Sequence, residues 1–397
     1  MWFGNFSWAP IREEELAMRN CIAVGCDLHD QSMLLMIGHN EGEPQKRSSG
    51  THREARRKTI EYLKRCQREA GADAIVFAYE ASQSGYVLYD ELTAAGVECH
   101  VLAPSKMPHT AKSRRNKTDE KDARRNLDVL RAHVWAGNEL PETWVPDPQT
   151  RQDRALVRAR VSAGEKRASC RREIRSVLKR NDVAKPQGLG KGWSGKYQAW
   201  LLGLTSPPSL LGAGERVVLA SLLRQLEALE KEVEILEAEV LALSKTDRYR
   251  DLVAECRKLK GVGVLTAMVF LTETGDPLRF KNRHSIGNYM GLTPSSDESG
   301  EASDRKGHIT HQGPWRARRV LNQAAHVRVR TDPEEKAWFD QWLAKHPKKK
   351  NIGIVAAMRR LSIRLWHAAC RVARERAGLP PLPSPRRGEA PACAPGT

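Results

Sequence analysis

The chain has 397 residues and a formal net charge of +18, from 66 Lys and Arg against 48 Asp and Glu. That length implies two or three domains, and the cationic surplus points to a polyanionic partner, most commonly nucleic acid, with a merely basic soluble protein as the plain alternative. No apolar run reaches the ~18 residues of a membrane span, the N-terminal stretch "MWFGNFSWAPIREEELAMRN" lacks a signal-peptide pattern, and the eight cysteines form no CxxC pair, so they read as thiols of a cytoplasmic protein and not as a zinc site or disulfide framework.

"CIAVGCDLHDQSMLLMIGHNEG" predicts two strands, about 21–28 and 31–38, joined by a tight polar connection. "THREARRKTIEYLKRCQREAGA" predicts a helix, and "DAIVFAYE" a buried strand ending in an acid. A second helix follows in "SGYVLYDELTAAG" and a short strand in "VECHVLAP". This alternation implies an α/β layer. "KTDEKDARRNLDVLRAHVW" predicts a third helix, with Thr118 as N-cap and Asp119 and Glu120 in its first turn.

Residues 151–180 read as a helix with eleven Arg and Lys against three Asp and Glu, and residues 183–214, rich in Gly, Pro, Ser and Trp, as a loop or linker. "LASLLRQLEALEKEVEILEAEVLAL" then places apolar residues at 219, 222, 226, 229, 233, 236, 240 and 243. The unbroken alternation of three and four predicts a coiled coil that joins chains into a dimer or tetramer, the alternative being one long helix packed on its own domain. From about 250, "LVAECRKLKGVGVLTAMVFLTETG" predicts a helix, a GVG hairpin and a second helix. Such turns present backbone N–H groups to phosphates, which makes Lys260, Gly261 and Gly263 candidate contacts. The Pro-rich end "LPPLPSPRRGEAPACAPGT" predicts disorder.

Four carboxylates carry the chemistry. Asp27 ends the first strand and Glu80 a later one, while Asp119 and Asp122 sit at i and i+3 on one helix face. If that helix packs beside the two strand ends, all four converge, and like charges so close repel unless a cation neutralises them. Carboxylate oxygens suit Mg²⁺ or Mn²⁺, and two such ions can clamp the attacking and leaving oxygens of a phosphodiester. Each acid has a structural alternative: Asp27 as a turn cap, Asp119 as a first-turn acid, Asp122 paired with Arg125 or Arg115. Glu80, at the end of an apolar strand, is the hardest to explain without a partner. Glu120 and Asp30 are decoys nearby. The bases around the acids, Arg114, Arg115 and Lys117, are placed to hold a phosphate backbone.

The order "GCDLHD … YEAS … KTDEKDA" resembles the DEDD transposases of the IS110 insertion-sequence family, which includes Piv-type DNA invertases. "TDxxDA" is the most specific of the three elements. The stretch "LKGVGVLTAMVFLTETGDPLRFKNRHSIGNYMGLTPSSDESGEASDRKGHITHQGPWRARRVLNQAA" resembles that family's transposase domain, though Trp315 stands where many relatives carry a small or polar residue. The resemblance covers roughly residues 20–335 and implies an α/β RNase H-like (RuvC-like) domain, a central helical coiled coil and a mostly α-helical C-terminal transposase domain. The corresponding division is a tail 1–19, a catalytic domain 20–148, a basic helix, linker and coiled coil 149–248, a transposase domain with hairpin motif and serine loop 249–375, and a disordered tail 376–397. It also implies that Asp27, Glu80, Asp119 and Asp122 bind the metal.

The family form GLxP…SG…GxI falls on "GLTPSSDESGEASDRKGHIT", which makes Ser299 the implied nucleophile, with Ser295, Ser296 and Ser303 as decoys. Taken alone, the same stretch is an ordinary Ser/Gly loop. The implied function is an insertion-sequence transposase or site-specific recombinase that cuts and rejoins donor and target DNA through a serine–phosphate intermediate, guided by a structured bridge RNA. The basic 151–180 helix, with Arg171, Arg172 and Arg175, would bind that RNA. Two other readings fit the same residues. A hydrolytic RuvC-like nuclease of branched DNA needs only the four acids, and a non-enzymatic nucleic-acid scaffold needs none.

Overall fold

The computed structural model describes residues 20–108, 118–190, 192–296 and 306–381, and the chain divides into two compact units, residues 1–145 and 146–397.

The first unit is a five-stranded mixed sheet flanked by helices. Its strands are β1 (Cys21–Leu28), β2 (Ser32–His39), β3 (Gln45–Gly50), β4 (Ala74–Glu80) and β5 (Glu98–Leu102), in the spatial order β3-β2-β1-β4-β5. β1 pairs antiparallel with β2 and parallel with β4; β2–β3 is antiparallel and β4–β5 parallel. β1 and β4 lie in the middle and are covered on both faces, which explains their nearly continuous apolar runs. β3, "QKRSSG", was not expected. It is an exposed, polar edge strand, the kind that hydropathy does not reveal and that resists edge-to-edge pairing.

Helix α1 (Arg53–Ala70) and α2 (Val87–Ala94) connect the strands. One face of the sheet buries Val24, Cys26, Phe77 and Tyr79 with Leu63, Leu88 and Leu92. The other buries Cys21, Ala23, Val76 and Ala78 under Ala123, Leu127 and Leu130 of α3 (Asp119–Ala136). Thr118 caps α3 as expected, its side chain accepting from the Lys121 N–H, and Gly137 ends it at φ 69°.

Among its described residues the second unit is helical apart from one small hairpin. α4 (Pro148–Arg180) and α6 (Ala213–Ser244) form an antiparallel pair: Arg160 meets Glu237 and Arg171 meets Glu230. The heptad seam expected to join two chains is therefore filled from within. Leu219, Leu222 and Leu226 pack with Ile174, Val177 and Leu178 of α4, and Val240 with Val157 and Val161. The segment expected as a loop or linker, 183–214, contains a short helix α5 (Gly195–Gly203), capped by Ser194 and seated through Tyr197 and Leu201 on the same core.

α7 (Arg250–Arg257) and α8 (Val264–Thr274) flank the GVG turn, followed by α9 (Arg283–Tyr289), the hairpin β6 (Pro294–Ser296) and β7 (Lys306–Ile309), and α10 (Trp315–Thr331), α11 (Pro333–Lys345) and α12 (Lys350–Arg376). Val157, Val161 and Val240 share one core with Phe270, Leu321 and Leu365, so the α4–α6 pair and the later helices belong to one unit. Among the described residues no helix is long and apolar enough to cross a membrane.

Candidate metal centre

Strand parity and one close approach build the site. β1 and β4 run parallel with Cys26 opposite Tyr79, so Asp27 and Glu80 are the next step on neighbouring strands. Cys26 and Tyr79 point into the first core, so the period of two turns Asp27 and Glu80 to the other face, under α3. α3 comes close there because β1 offers a glycine: a Cβ on Gly25 would lie 2.3 Å from both the Ala123 carbonyl oxygen and the Leu127 nitrogen. Asn126 fixes the depth, its Nδ2 donating to the Cys26 carbonyl at 2.9 Å. The first turn of α3, with Asp119 and Asp122, is thereby held over the strand ends.

The four acids are linked in two pairs. His29 Nε2 lies 3.0 Å from Asp27 Oδ2 and 3.5 Å from Asp119 Oδ1. Arg125 Nη2 lies 2.6 Å from Glu80 Oε1 and 3.0 Å from Asp122 Oδ1. Burial raises the Asp27 carboxyl above its ordinary range; His29 opposes that, and the neighbouring Asp122 and Asp119 add to it. Asp122 is buried, Asp27 and Glu80 half-buried, and Asp119 more open. Asp27, His29 and Asp119 each place one ligand atom within 4.8 Å of the others. The donor chemistry fits a divalent cation: carboxylate oxygens dominate, and the Arg125 guanidinium is shared between Glu80 and Asp122.

Arg125 was anticipated as one option for Asp122; its simultaneous hold on Glu80 was not. His29 escaped the sequence reading altogether. It lies one residue beyond the end of β1, two residues after Asp27, where strand period carries no signal. Glu120 points elsewhere, to Lys46 on β3. Beside Asp119 an open groove of about 860 Å³ is lined by Lys46, Lys121, Arg124 and Arg125 along with Glu120 and Asp128.

Other expected contacts divide. Arg114, Arg115, Lys117 and Ser299 lie outside the described residues. Arg171 is half-buried, paired with Glu230 and set 5.1 Å from the Trp193 ring; Arg172 is exposed, and exposed Arg175 lies 5.5 Å from the same ring. Lys260 is exposed. Gly261 has a packing duty: at φ 85°, its would-be Cβ lies 2.8 Å from the Ala324 carbonyl oxygen. Gly263 is open and caps α8. The Ser295 hydroxyl donates to the His308 carbonyl across the β6–β7 hairpin.

Comparison with known proteins identifies the family. A DEDD transposase family model for IS110 elements matches residues 24–181, which contain all four acids, and the transposase model of the IS116/IS110/IS902 family matches residues 254–340. The chain belongs to the IS110 family of transposases. The putative transposase y4qE of Sinorhizobium fredii is 32% identical over 252 residues, 63% of this chain and 58% of that protein. The putative transposase y4rJ of the same organism is 28% identical over 72% of this chain and 75% of its own length. The transposase for insertion sequence element IS1533 of Leptospira borgpetersenii is 26% identical over 65% and 71%.

Proposed function

We propose that this IS110-family chain is a metal-dependent DNA transposase or recombinase whose centre is Asp27, Glu80, Asp119 and Asp122. The observation that carries the reading is the convergence of these acids: two parallel strand ends and one helix turn face the same side, and His29 and Arg125 tie them together in pairs. Mg²⁺ or Mn²⁺ held there would supply Lewis-acid stabilisation of charge on a phosphodiester. The chain's own residues do the rest. Lys46, Lys121 and Arg124 line the adjacent groove, where they can position a phosphate backbone, and Arg114, Arg115 and Lys117 stand next to them in sequence.

Ser299 is the proposed nucleophile. Its oxygen forms a bond to phosphorus, the P–O bond to the leaving strand breaks, the hydroxyl proton passes to a base or water, and the energy of the linkage is kept for rejoining. The exposed bases of α4, Arg172 and Arg175, the latter beside Trp193, support binding of a structured guide RNA. Exchange between donor and target DNA calls for more than one centre, so the reading includes a homo-oligomer; exposed Leu202, Leu210, Val217 and Val218 at the far end of the α4–α6 pair favour it. The cytoplasm, where DNA and metal are both accessible, is the proposed compartment.

Denaturing electrophoresis of end-labelled DNA after reaction in Mg²⁺ tests the proposal. The native chain is expected to give a slower protein–DNA band that Ser299→Ala and Asp27→Asn both lack. Free cleaved ends without that band would transfer the function to the hydrolytic nuclease, which the described carboxylate centre supports equally well. No cleavage with either metal would remove the enzymatic reading.

A further inference from the structure

We infer that His29 is a direct ligand of the metal at this centre, so that the chain binds Mn²⁺ through a nitrogen as well as through carboxylates. The inference rests on the metal-dependent reading above and adds a donor to it.

His29 sits in the turn between β1 and β2. Leu28 pairs with Met33, and the His29 N–H donates to the Ser32 carbonyl at 2.9 Å, so the backbone carrying the imidazole is fixed two residues from Asp27. The ring brings one nitrogen, Nε2, to both acids, 3.0 Å from Asp27 Oδ2 and 3.5 Å from Asp119 Oδ1. A single N–H makes one good hydrogen bond and leaves the second carboxylate poorly served. A cation inside the triangle would serve both carboxylates and the ring nitrogen at once. The spacing suits it: an octahedral ion with bonds of ~2.1 Å holds adjacent donors roughly 3 Å apart and opposite donors roughly 4 Å apart, and these donor atoms all lie within 4.8 Å of one another. Glu80 and Asp122 turn instead towards Arg125, so Asp27, His29 and Asp119 form the part of the centre most open to an incoming ion. A set of two carboxylates and an imidazole is softer than carboxylates alone, and favours Mn²⁺ over Mg²⁺.

The test is pulsed EPR of Mn²⁺ added to the full-length protein, with binding titrations of Mn²⁺ and Mg²⁺ alongside. The native chain should show ¹⁴N modulation on the bound Mn²⁺ signal. His29→Ala and His29→Gln should abolish that modulation and raise the Mn²⁺ Kd about tenfold, while shifting the Mg²⁺ Kd less than about threefold. Thermal melting in the absence of metal checks that the variants fold; if one does not, the native spectrum and the other variant decide. Bound Mn²⁺ without nitrogen modulation would overturn the ligand assignment and leave the carboxylate centre standing. Failure of the native chain to bind Mn²⁺ at all would overturn both. Asp27→Asn should weaken both metals, which separates the centre from adventitious nitrogen sites elsewhere.

Discussion

His100 is the clearest source of pH-dependent stability in the first unit. It is a largely buried β5 residue whose Nε2 lies 3.2 Å from Glu98 and whose Nδ1 lies 3.2 Å from Glu142, with the His133 ring edge-on at 5.8 Å. Burial lowers the imidazole, but the two carboxylates outweigh it and lift it from 6.5 to about 9. At about 1.4 kcal/mol per pH unit, that difference is worth about 3 kcal/mol. Glu98 and Glu142 are 38% and 35% exposed, and solvent screening reduces the figure to about 1–2 kcal/mol. A group raised on folding stabilises fully below its unfolded value and loses that contribution as pH rises through its folded one. The window is therefore pH 6.5 to 9. Urea unfolding of native chain and His100→Gln should differ most near pH 6, and the difference should shrink by about 1–2 kcal/mol by pH 9.5. Hydrogen exchange of the segment 97–103 localises the effect to β5. A difference between the two proteins that stays flat across this window would refute the charged-imidazole account.

Gly25→Ala should be severe. Its Cβ would meet backbone atoms of α3 at 2.3 Å, which no rotamer relieves, so a loss above about 3 kcal/mol is expected, read by thermal melting, with weaker Mn²⁺ binding as α3 moves off Asp27. Arg125→Gln removes the guanidinium shared by Glu80 and Asp122, so the first unit should melt lower in EDTA and recover with millimolar Mg²⁺; equal losses with and without metal would show that Arg125 acts on packing alone. Leu226→Lys with Leu229→Lys places charge in the α4–α6 core, where Leu226 is 2% exposed, and should lower helicity by circular dichroism as well as any oligomer mass in sedimentation. Unchanged helicity with a halved mass would restore the seam to an interface between chains.

The centre was legible where chemistry and period coincide. Two apolar strands that end in acids, and a capped helix with acids at i and i+3, needed only the strand period of two and the helical turn to be brought together. His29 was not legible, because one imidazole in a polar turn has no periodic signature; its meaning comes from Asp119, ninety residues later in the chain. The shared hold of Arg125 was hidden for the same reason, since only the neighbouring i,i+3 acid is visible in one dimension. Gly25 reads as an ordinary strand glycine until α3 is laid across it. β3 has no hydropathy signal because an edge strand needs none.

The heptad run shows a subtler limit. A seam of alternating three and four has the same period whether the partner helix is in another chain or thirty residues upstream. Its charge did carry the distinction. Residues 213–244 contain seven Glu against three Lys and Arg, whereas 151–180 contain eleven bases against three acids. Two copies of α6 side by side would set acids against acids, while α6 on α4 sets Glu230 and Glu237 against Arg171 and Arg160. The dense bases of α4 made it look like a nucleic-acid face only, and diluted the apolar positions Val157, Val161, Ile174 and Val177 that answer the seam. Its cations therefore divide by face: Arg160 and Arg171 complement α6, and exposed Arg172 and Arg175 are left for a polyanion. On the proposed RNA-binding role of α4, Arg172→Glu with Arg175→Glu should weaken RNA binding and flatten its salt dependence without loosening the helical pair, whereas Arg171→Glu should loosen the pair by setting acid against Glu230.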